Sequence, residues 1–371
     1  MSTALVIGGT GPTGPLVVNG LLERGFDVTI LHGGQHEASF AGPVRDIHAD
    51  PHFAESLAEG LGQATFDLAV AQYGRLRVTS DVLAGRTGRV IAIGGATGLF
   101  AGPDDPRWGL AGRPALVPDD CDIYVADERD DKIGRRMVEA MELLLSHHAA
   151  GDYNATYIGY PVNYGPRTPG PYDWTIVRRA LDGRRRIVVA DGGRKVESRV
   201  FTENAAAAVL RCVDQPDLSA GKRYSVADQH SFTMRQRIEQ IARCLEVEFE
   251  LIDLPYELAW PCYPLYRHSP DHRLTDSALI RSELGYQDPV TASEAVERWV
   301  GWLLAHKPEP GGELERQVGD PFDYDAEDAL IDRWLRAREN FGEVSSPLPP
   351  QGHQYRHPKR QGEAWQPAGT Q

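Results

Sequence analysis

Two spacings of apolar residues divide this chain. Up to about residue 93, short aliphatic runs alternate with stretches whose apolar positions recur every three or four residues. Those are the signatures of buried strands and one-sided helices. The runs at 3–7, 26–31, 44–47, 66–71 and 89–93 predict strands. Helices are predicted at 15–24, closed by Gly25, and at 53–61. A Pro- and Asp-rich loop fills 102–120, a long helix is expected over 127–147, and a sixth strand over 155–160. Such alternation predicts an α/β protein built on a doubly wound parallel sheet. Beyond 165 the pattern mixes helices at 174–182, 202–213, 233–245 and 292–304 with short strands near Ile187 and Lys222. This predicts a smaller mixed α/β C-terminal lobe that partly returns to the main sheet. An amphipathic helix with Leu330, Ile331, Trp334 and Leu335 on one side is expected over 325–340. From 343 the composition turns to Pro, Gly, Gln and His, that of a mobile tail. The expected division is 1–165 for the sheet domain, 166–310 for the lobe, 311–342 for a helical extension and 343–371 for the tail.

The first strand runs straight into Gly8-Gly9-Thr10-Gly11-Pro12-Thr13-Gly14. Glycines at 8, 11 and 14 suit a dinucleotide: a tight turn, a close backbone approach to a pyrophosphate, and close packing of the next helix on its strand. The helix start then aims free N–H groups and a partial positive charge at the phosphates. A buried strand before the triad and a helix after it are the context this motif requires.

Bulk properties narrow the alternatives. The 371 residues carry a formal net charge of -14, which argues against binding a nucleic-acid backbone across the surface. No run of eighteen apolar residues is present, so no membrane partner is expected. The first strand begins within a few residues of Met1, so no secretory signal is expected and a cytoplasmic location is. Cys121, Cys212, Cys244 and Cys262 lack metal or redox spacing and read as reduced thiols. The histidine pairs His32/His36, His48/His52 and His353/His357 are spaced i, i+4, but none lies in a His-Glu-x-x-His frame, and no metal is expected. Neither a Gly-x-Ser-x-Gly elbow nor a Gly-x-x-x-x-Gly-Lys loop occurs, which disfavours hydrolase and phosphoryl-transfer readings.

Several segments, taken in order, resemble the extended and atypical short-chain dehydrogenase/reductases of the epimerase/dehydratase-like branch. They are the glycine loop, Tyr160-Pro161-Val162-Asn163-Tyr164-Gly165-Pro166 and Arg199-Val200-Phe201-Thr202-Glu203-Asn204-Ala205, with weaker echoes at 224–228 and 274–286. The resemblance implies a Rossmann-type domain that binds NAD(P), with a small hydroxylated or carbonyl substrate held between it and the lobe. It implies oxidoreductase or epimerase/dehydratase chemistry, and a homodimer through the long helix. It also implies cofactor contacts from Gly8, Thr10, Gly11, Pro12, Thr13, Gly14, His32, Gly33, Asp50, Tyr73, Tyr160 and Pro161.

That family's chemistry rests on a tyrosine and a lysine four apart on a helix, with a nearby hydroxyl. Here the pair is missing: Tyr124 is followed four residues later by Glu128, and Glu128 in turn by Lys132. Counting back from Tyr160 places Arg136 in the lysine slot and Lys132 in the tyrosine slot. The hydroxyl-bearing turn is reduced to Gly94-Gly95-Ala96-Thr97, leaving Thr97. Three readings stay open. Lys132, its pKa depressed by Arg136 on the same helix face, moves the proton. Alternatively, Tyr124 reaches in from the preceding loop. In the third, the protein binds the dinucleotide without redox turnover, as a sensor or partner-binding module. A solvated face explains Lys132 and Arg136 equally well, since Asp130, Asp131 and Glu139 interleave with them.

Cofactor choice follows from the end of the second strand, where an NAD site commonly places a carboxylate on the ribose 2′-OH. Here that turn reads Leu31-His32-Gly33-Gly34-Gln35-His36, without an acid before Glu37. The reading leans to NADP, with His32 or His36 facing a 2′-phosphate. Asp50 reads equally as an adenine contact or as a helix N-cap before Pro51. Basic residues from Arg178 to Lys195 read as a solvated cluster or as the mark of an anionic substrate. Trp299, Trp302 and Trp334 read as packing residues.

Overall fold

The early apolar runs form one parallel sheet, because all but the exposed edge strand are buried on both faces and demand a helical layer on either side. The computed structural model describes residues 1–34, 36–72, 74–96, 115–117, 132–342, 345, 347–348 and 360–362, with Lys132 and Ile133 by backbone alone. The strands are β1 (Thr3–Ile7), β2 (Asp27–His32), β3 (Arg45–His48), β4 (Leu68–Ala71), β5 (Arg89–Gly95), β6 (Asn154–Tyr160) and β7 (Lys222–Ser225). Their order across the sheet is β7-β6-β5-β4-β1-β2-β3, all parallel. The crossover reverses between β1 and β4, and that switch point is where a doubly wound sheet opens a crevice.

Side chains alternate between two cores. Ala4 and Val6 of β1 face one core with Val28, Ile30, Leu68 and Val70; Leu5 and Ile7 face the other with Leu31, Ala69 and Ala71. Helices α1 (Gly14–Glu23) and α6 (Thr202–Asp214) close the first core through Val17, Val18, Leu21, Ala205 and Val209. Helices α2 (Ala54–Leu61), α3 (Leu76–Leu83) and α4 (Lys132–Ala150) close the second through Leu57, Leu61, Leu83, Met141 and Leu144. Strand limits match the sequence pattern to within two residues. The helix α3 has no counterpart in it, because Thr79 and Ser80 take buried positions that the apolar pattern reserves for aliphatics.

The later residues add α5 (Trp174–Leu181), α7 (Met234–Cys244), α8 (Ala278–Leu284), α9 (Ala292–Ala305) and α10 (Glu313–Val318). They also add small pairings, Arg199–Phe201 on Val162–Tyr164 and Glu250–Leu254 on Arg186–Ala190. Met1–Asp323 form one compact unit; Tyr324–Gln371 form a second, which contains α11 (Tyr324–Phe341). No helix among the described residues is long and apolar enough to cross a membrane. The tail from 343 lies largely outside the described residues.

Candidate cofactor cleft

At the switch point the glycine loop follows β1, and Gln72 follows β4. Gly8 takes φ 87°, a left-handed value that favours glycine, and its carbonyl accepts from Gly11 N–H at 3.1 Å. Gly14 opens α1 against the loop itself: a Cβ there would lie 2.4 Å from the carbonyl carbon and oxygen of Gly9. Only glycine lets the helix come this close. The N-cap residue Thr13 makes no side-chain cap; its hydroxyl donates instead to Gln72 Oε1, tying the loop to β4. Gln72 Nε2 is buried with no hydrogen-bond partner among the described residues.

A cleft of about 450 Å³ lies over this junction, the size of a cofactor site. Gly8, Thr10, Gly11, Pro12, Thr13 and Gln72 line it from the glycine loop and β4. The ends of β2 and β3 and their loops add His32, Gly33, His36, His48, Asp50 and His52. Unpartnered Gln72 Nε2 and uncapped α1 both offer hydrogen-bond donors at this place, and a diphosphate accepts from both. The cleft therefore fits a dinucleotide. Tyr160 stands apart from this lining: its side chain packs in the α1/α6 core and its hydroxyl donates to the Ala205 carbonyl. Burial pushes that phenol far above its ordinary pKa. Pro161 follows it half-buried, and Tyr73 lies outside the described residues.

Asp50 is not a helix cap, since α2 begins at Ala54 with Phe53 as its N-cap. Its Oδ1 instead accepts from the backbone N–H of His52 at 2.9 Å and meets His52 Nδ1 at 2.7 Å, and these bonds lower its pKa. Neither close histidine pair behaves as an i, i+4 unit. The parallel register sets His32 opposite His48, and their rings lie 4.5 Å apart. Asp46, two residues before His48 and so on the same face of β3, brings Oδ1 to 2.9 Å from His32 Nε2. An acid from β3 thus stands beside the end of β2, paired with His32. Strand register, which spacing along one segment does not reveal, carries that information.

Of the proposed catalytic residues, only Arg136 is described with its side chain. Thr97 and Tyr124 lie outside the described residues, and Lys132 is described by backbone alone, in the first turn of α4. Arg136, one turn later, is exposed. The described part of the long helix ends at Ala150 instead of 147, and 127–131 lie outside the described residues.

The resemblance-bearing segments converge in a buried network. Asp228 accepts from Tyr164 Oη at 2.8 Å, Asn204 Nδ2 at 2.8 Å and Phe201 N–H at 3.0 Å. Its partners are neutral, and burial raises its pKa. Asp173 accepts from Arg199 at 3.0 Å, from Arg237 Nη2 at 2.6 Å and from Trp299 Nε1 at 3.0 Å. Burial opposes its charge, but the two guanidiniums outweigh that and hold its pKa far below the carboxylate range. Within the basic run from Arg178 to Lys195, three residues are tied into the fold, while Arg185 and Arg194 are exposed. Arg178 pairs with Glu315 at 2.6 Å, Arg179 with Asp320 at 2.5 Å, and Lys195 Nζ donates to the carbonyls of Tyr266 and Ser269. Burial draws the Lys195 pKa down to about 8.

No family model and no curated protein matches the chain. Solved structures do. The dTDP-glucose 4,6-dehydratase of Bacillus anthracis, crystallised with NAD, superposes with a TM-score of 0.62 at 12% identity, over 83% of this chain and 98% of that one. The fold is the Rossmann-type fold of NAD-dependent epimerases and dehydratases. DesIV, a dTDP-glucose 4,6-dehydratase of Streptomyces venezuelae, gives 0.60 at 17% identity over 82% and 98%. The UDP-glucose 4-epimerase of Thermotoga maritima, solved with UDP-glucose, gives 0.61 at 14% over 82% and 99%.

Proposed function

We propose that the protein binds NAD(P), with NADP favoured, and acts as an oxidoreductase or epimerase/dehydratase-type enzyme on a small hydroxylated or carbonyl substrate. The observation that carries this reading is the junction of the glycine loop with Gln72 at the sheet's switch point. There a helix start without a side-chain cap and an orphaned buried amide face one cleft of cofactor size. Gly8, Gly11, Thr13 and Gly14 would hold the diphosphate, with Thr10, Pro12 and Gln72 beside it and Asp50 at the adenine. Imidazole N–H groups of the rim would meet a 2′-phosphate, the basis of the NADP preference. Tyr73, Tyr160 and Pro161 belong to the proposal as backbone or outer contacts.

A bound nicotinamide supplies a hydride acceptor or donor beside the substrate oxygen. The chain's own part is to handle the proton and hold the substrate. Lys132 or Tyr124 would exchange the proton, Arg136 would position the ribose, and Thr97 would orient the oxygen. Asp173 and Asp228 would keep the lobe rigid against the cleft. A soluble homodimer across α4 in the cytoplasm completes the reading, and sedimentation of the purified chain tests the dimer.

The test is a calorimetric titration with NADPH and NADH, followed by a substrate panel monitored at the reduced-nicotinamide band. We expect saturable binding, tighter for NADPH, and turnover that Lys132→Met lowers by at least a hundredfold. Unchanged turnover in Lys132→Met would leave Tyr124 as the proton carrier. Tight binding without turnover on any alcohol, ketone or nucleotide sugar would favour the sensor reading, which the missing Tyr-x-x-x-Lys pair supports. No binding of either nucleotide would overturn the proposal.

A further inference from the structure

We propose that His32, Asp46 and His48 form a binding site for one divalent transition-metal ion, of which zinc is the representative. His32 Nε2, Asp46 Oδ1 and His48 Nε2 come from the adjoining ends of β2 and β3. Oδ1 lies 2.9 Å from the first nitrogen and 3.8 Å from the second, and the three residues' ligand atoms all lie within 4.8 Å of one another. Ligands around a tetrahedral zinc ion sit about 3.3 Å apart, given bonds near 2 Å. Rotation of the exposed Asp46 and His48 side chains closes the remaining gap.

A second observation points the same way. His32 is nine-tenths buried, and its Nε2 makes no hydrogen bond although Asp46 Oδ1 is within reach. A buried ring nitrogen is thus left without a hydrogen bond although a carboxylate oxygen stands 2.9 Å away, and a shared ion would satisfy both. Two imidazoles and a carboxylate leave further positions open, and they are a donor set that zinc accepts. Softer thiolates and all-oxygen cages are absent from this cluster, so magnesium and calcium suit it poorly.

The ring proton has to be placed. His32 Nδ1 accepts from Gly34 N–H at 3.1 Å, which sets the neutral proton on Nε2. With zinc on Nε2 that proton moves to Nδ1, and the Gly34 N–H must turn aside. Gly34 sits at φ 76°, and glycine occupies either sign of φ at little cost. The lost hydrogen bond and the exposure of two ligands set the affinity in the micromolar class, weaker than a closed structural zinc site.

The proposal does not rest on the nucleotide reading, and its test uses zinc alone. Zinc chloride is titrated calorimetrically into the full chain and into His48→Ala and Asp46→Asn, whose side chains are exposed enough to leave the fold intact. Circular dichroism confirms that each variant is folded. We expect one ion per chain for the parent and a tenfold or greater loss of affinity in each variant. Absence of saturable binding to the parent would overturn the site. So would parent-like binding in both variants, which would place the ion elsewhere, for example on the tail histidines. Failure of NADP(H) to bind, with zinc binding intact, would refute the proposed function alone.

Discussion

Two buried carboxylates show how a single side chain's neighbours decide its charge. Asp173 and Asp228 are both almost fully buried, at 1% and 6% exposure. Asp228 meets only neutral donors, and its pKa rises; Asp173 meets Arg199 and Arg237, and its pKa falls. Replacing Asp173 by Asn removes the charge that both guanidiniums share while keeping the shape. Breaking a buried pair in this way costs roughly 3–5 kcal/mol, because cations stay buried without their counter-ion. Urea unfolding of Asp173→Asn is expected to show a loss of that size. A loss under about 1 kcal/mol, the value of an exposed pair, would mean the network contributes little. The sign with pH follows from the lowered value. Asp173 contributes its stability above the ordinary carboxylate range and loses it as pH falls through the depressed folded value. The variant's stability is therefore expected to fall less in acid than the parent's.

Elements differ in how openly the sequence declares them. The central strands β1 and β4 were legible because burial on both faces forces an unbroken aliphatic run, and Gly25 at φ 78° ends α1 where the pattern placed a stop. α3 was not, since Thr79 and Ser80 are polar and pass for surface residues although both are buried; Thr79 Oγ1 donates to the Leu76 carbonyl at 3.0 Å. That helix is nonetheless latched to α4 through His147. Its Nδ1 lies 2.7 Å from Asp152 Oδ2 and its Nε2 lies 3.0 Å from Asp81 Oδ1 in α3. Both ring nitrogens face carboxylates, so the latch is complete only as the imidazolium. Burial lowers the His147 pKa, but the two carboxylates together raise it above the ordinary value. A raised folded pKa contributes stability that is full below about pH 6.5 and is lost as pH rises through the folded value. The urea midpoint is expected to fall between about pH 6 and pH 9 by the equivalent of roughly 0.5–1 kcal/mol. His147→Ala should remove that slope, and a variant that keeps it would place the titration on another group.

For the whole molecule, the glycine loop was readable because its requirement is local: the clash a Cβ at Gly14 would make lies within six residues of sequence. The rim was not, because Asp46 reaches His32 only through the β2–β3 register, and Gln72 reaches Thr13 only through the fold. The same long-range assembly ties ligand binding to stability. Anything that binds the folded chain alone stabilises it by RT ln(1 + [L]/Kd), about 2.7 kcal/mol at a hundredfold excess over Kd. In a compact unit of this size that amount raises the melting temperature by roughly 5 °C. We expect NADPH to give such a shift, NADH a smaller one, and Gln72→Ala, which leaves the loop's glycines in place, a reduced shift with either. Gly14→Ala should melt lower even without nucleotide, because α1 must move off Gly9 by about 1 Å and strain of that kind costs about 1–3 kcal/mol. Equal melting temperatures with and without saturating nucleotide would mean that the glycine loop serves only to pack α1 onto the sheet.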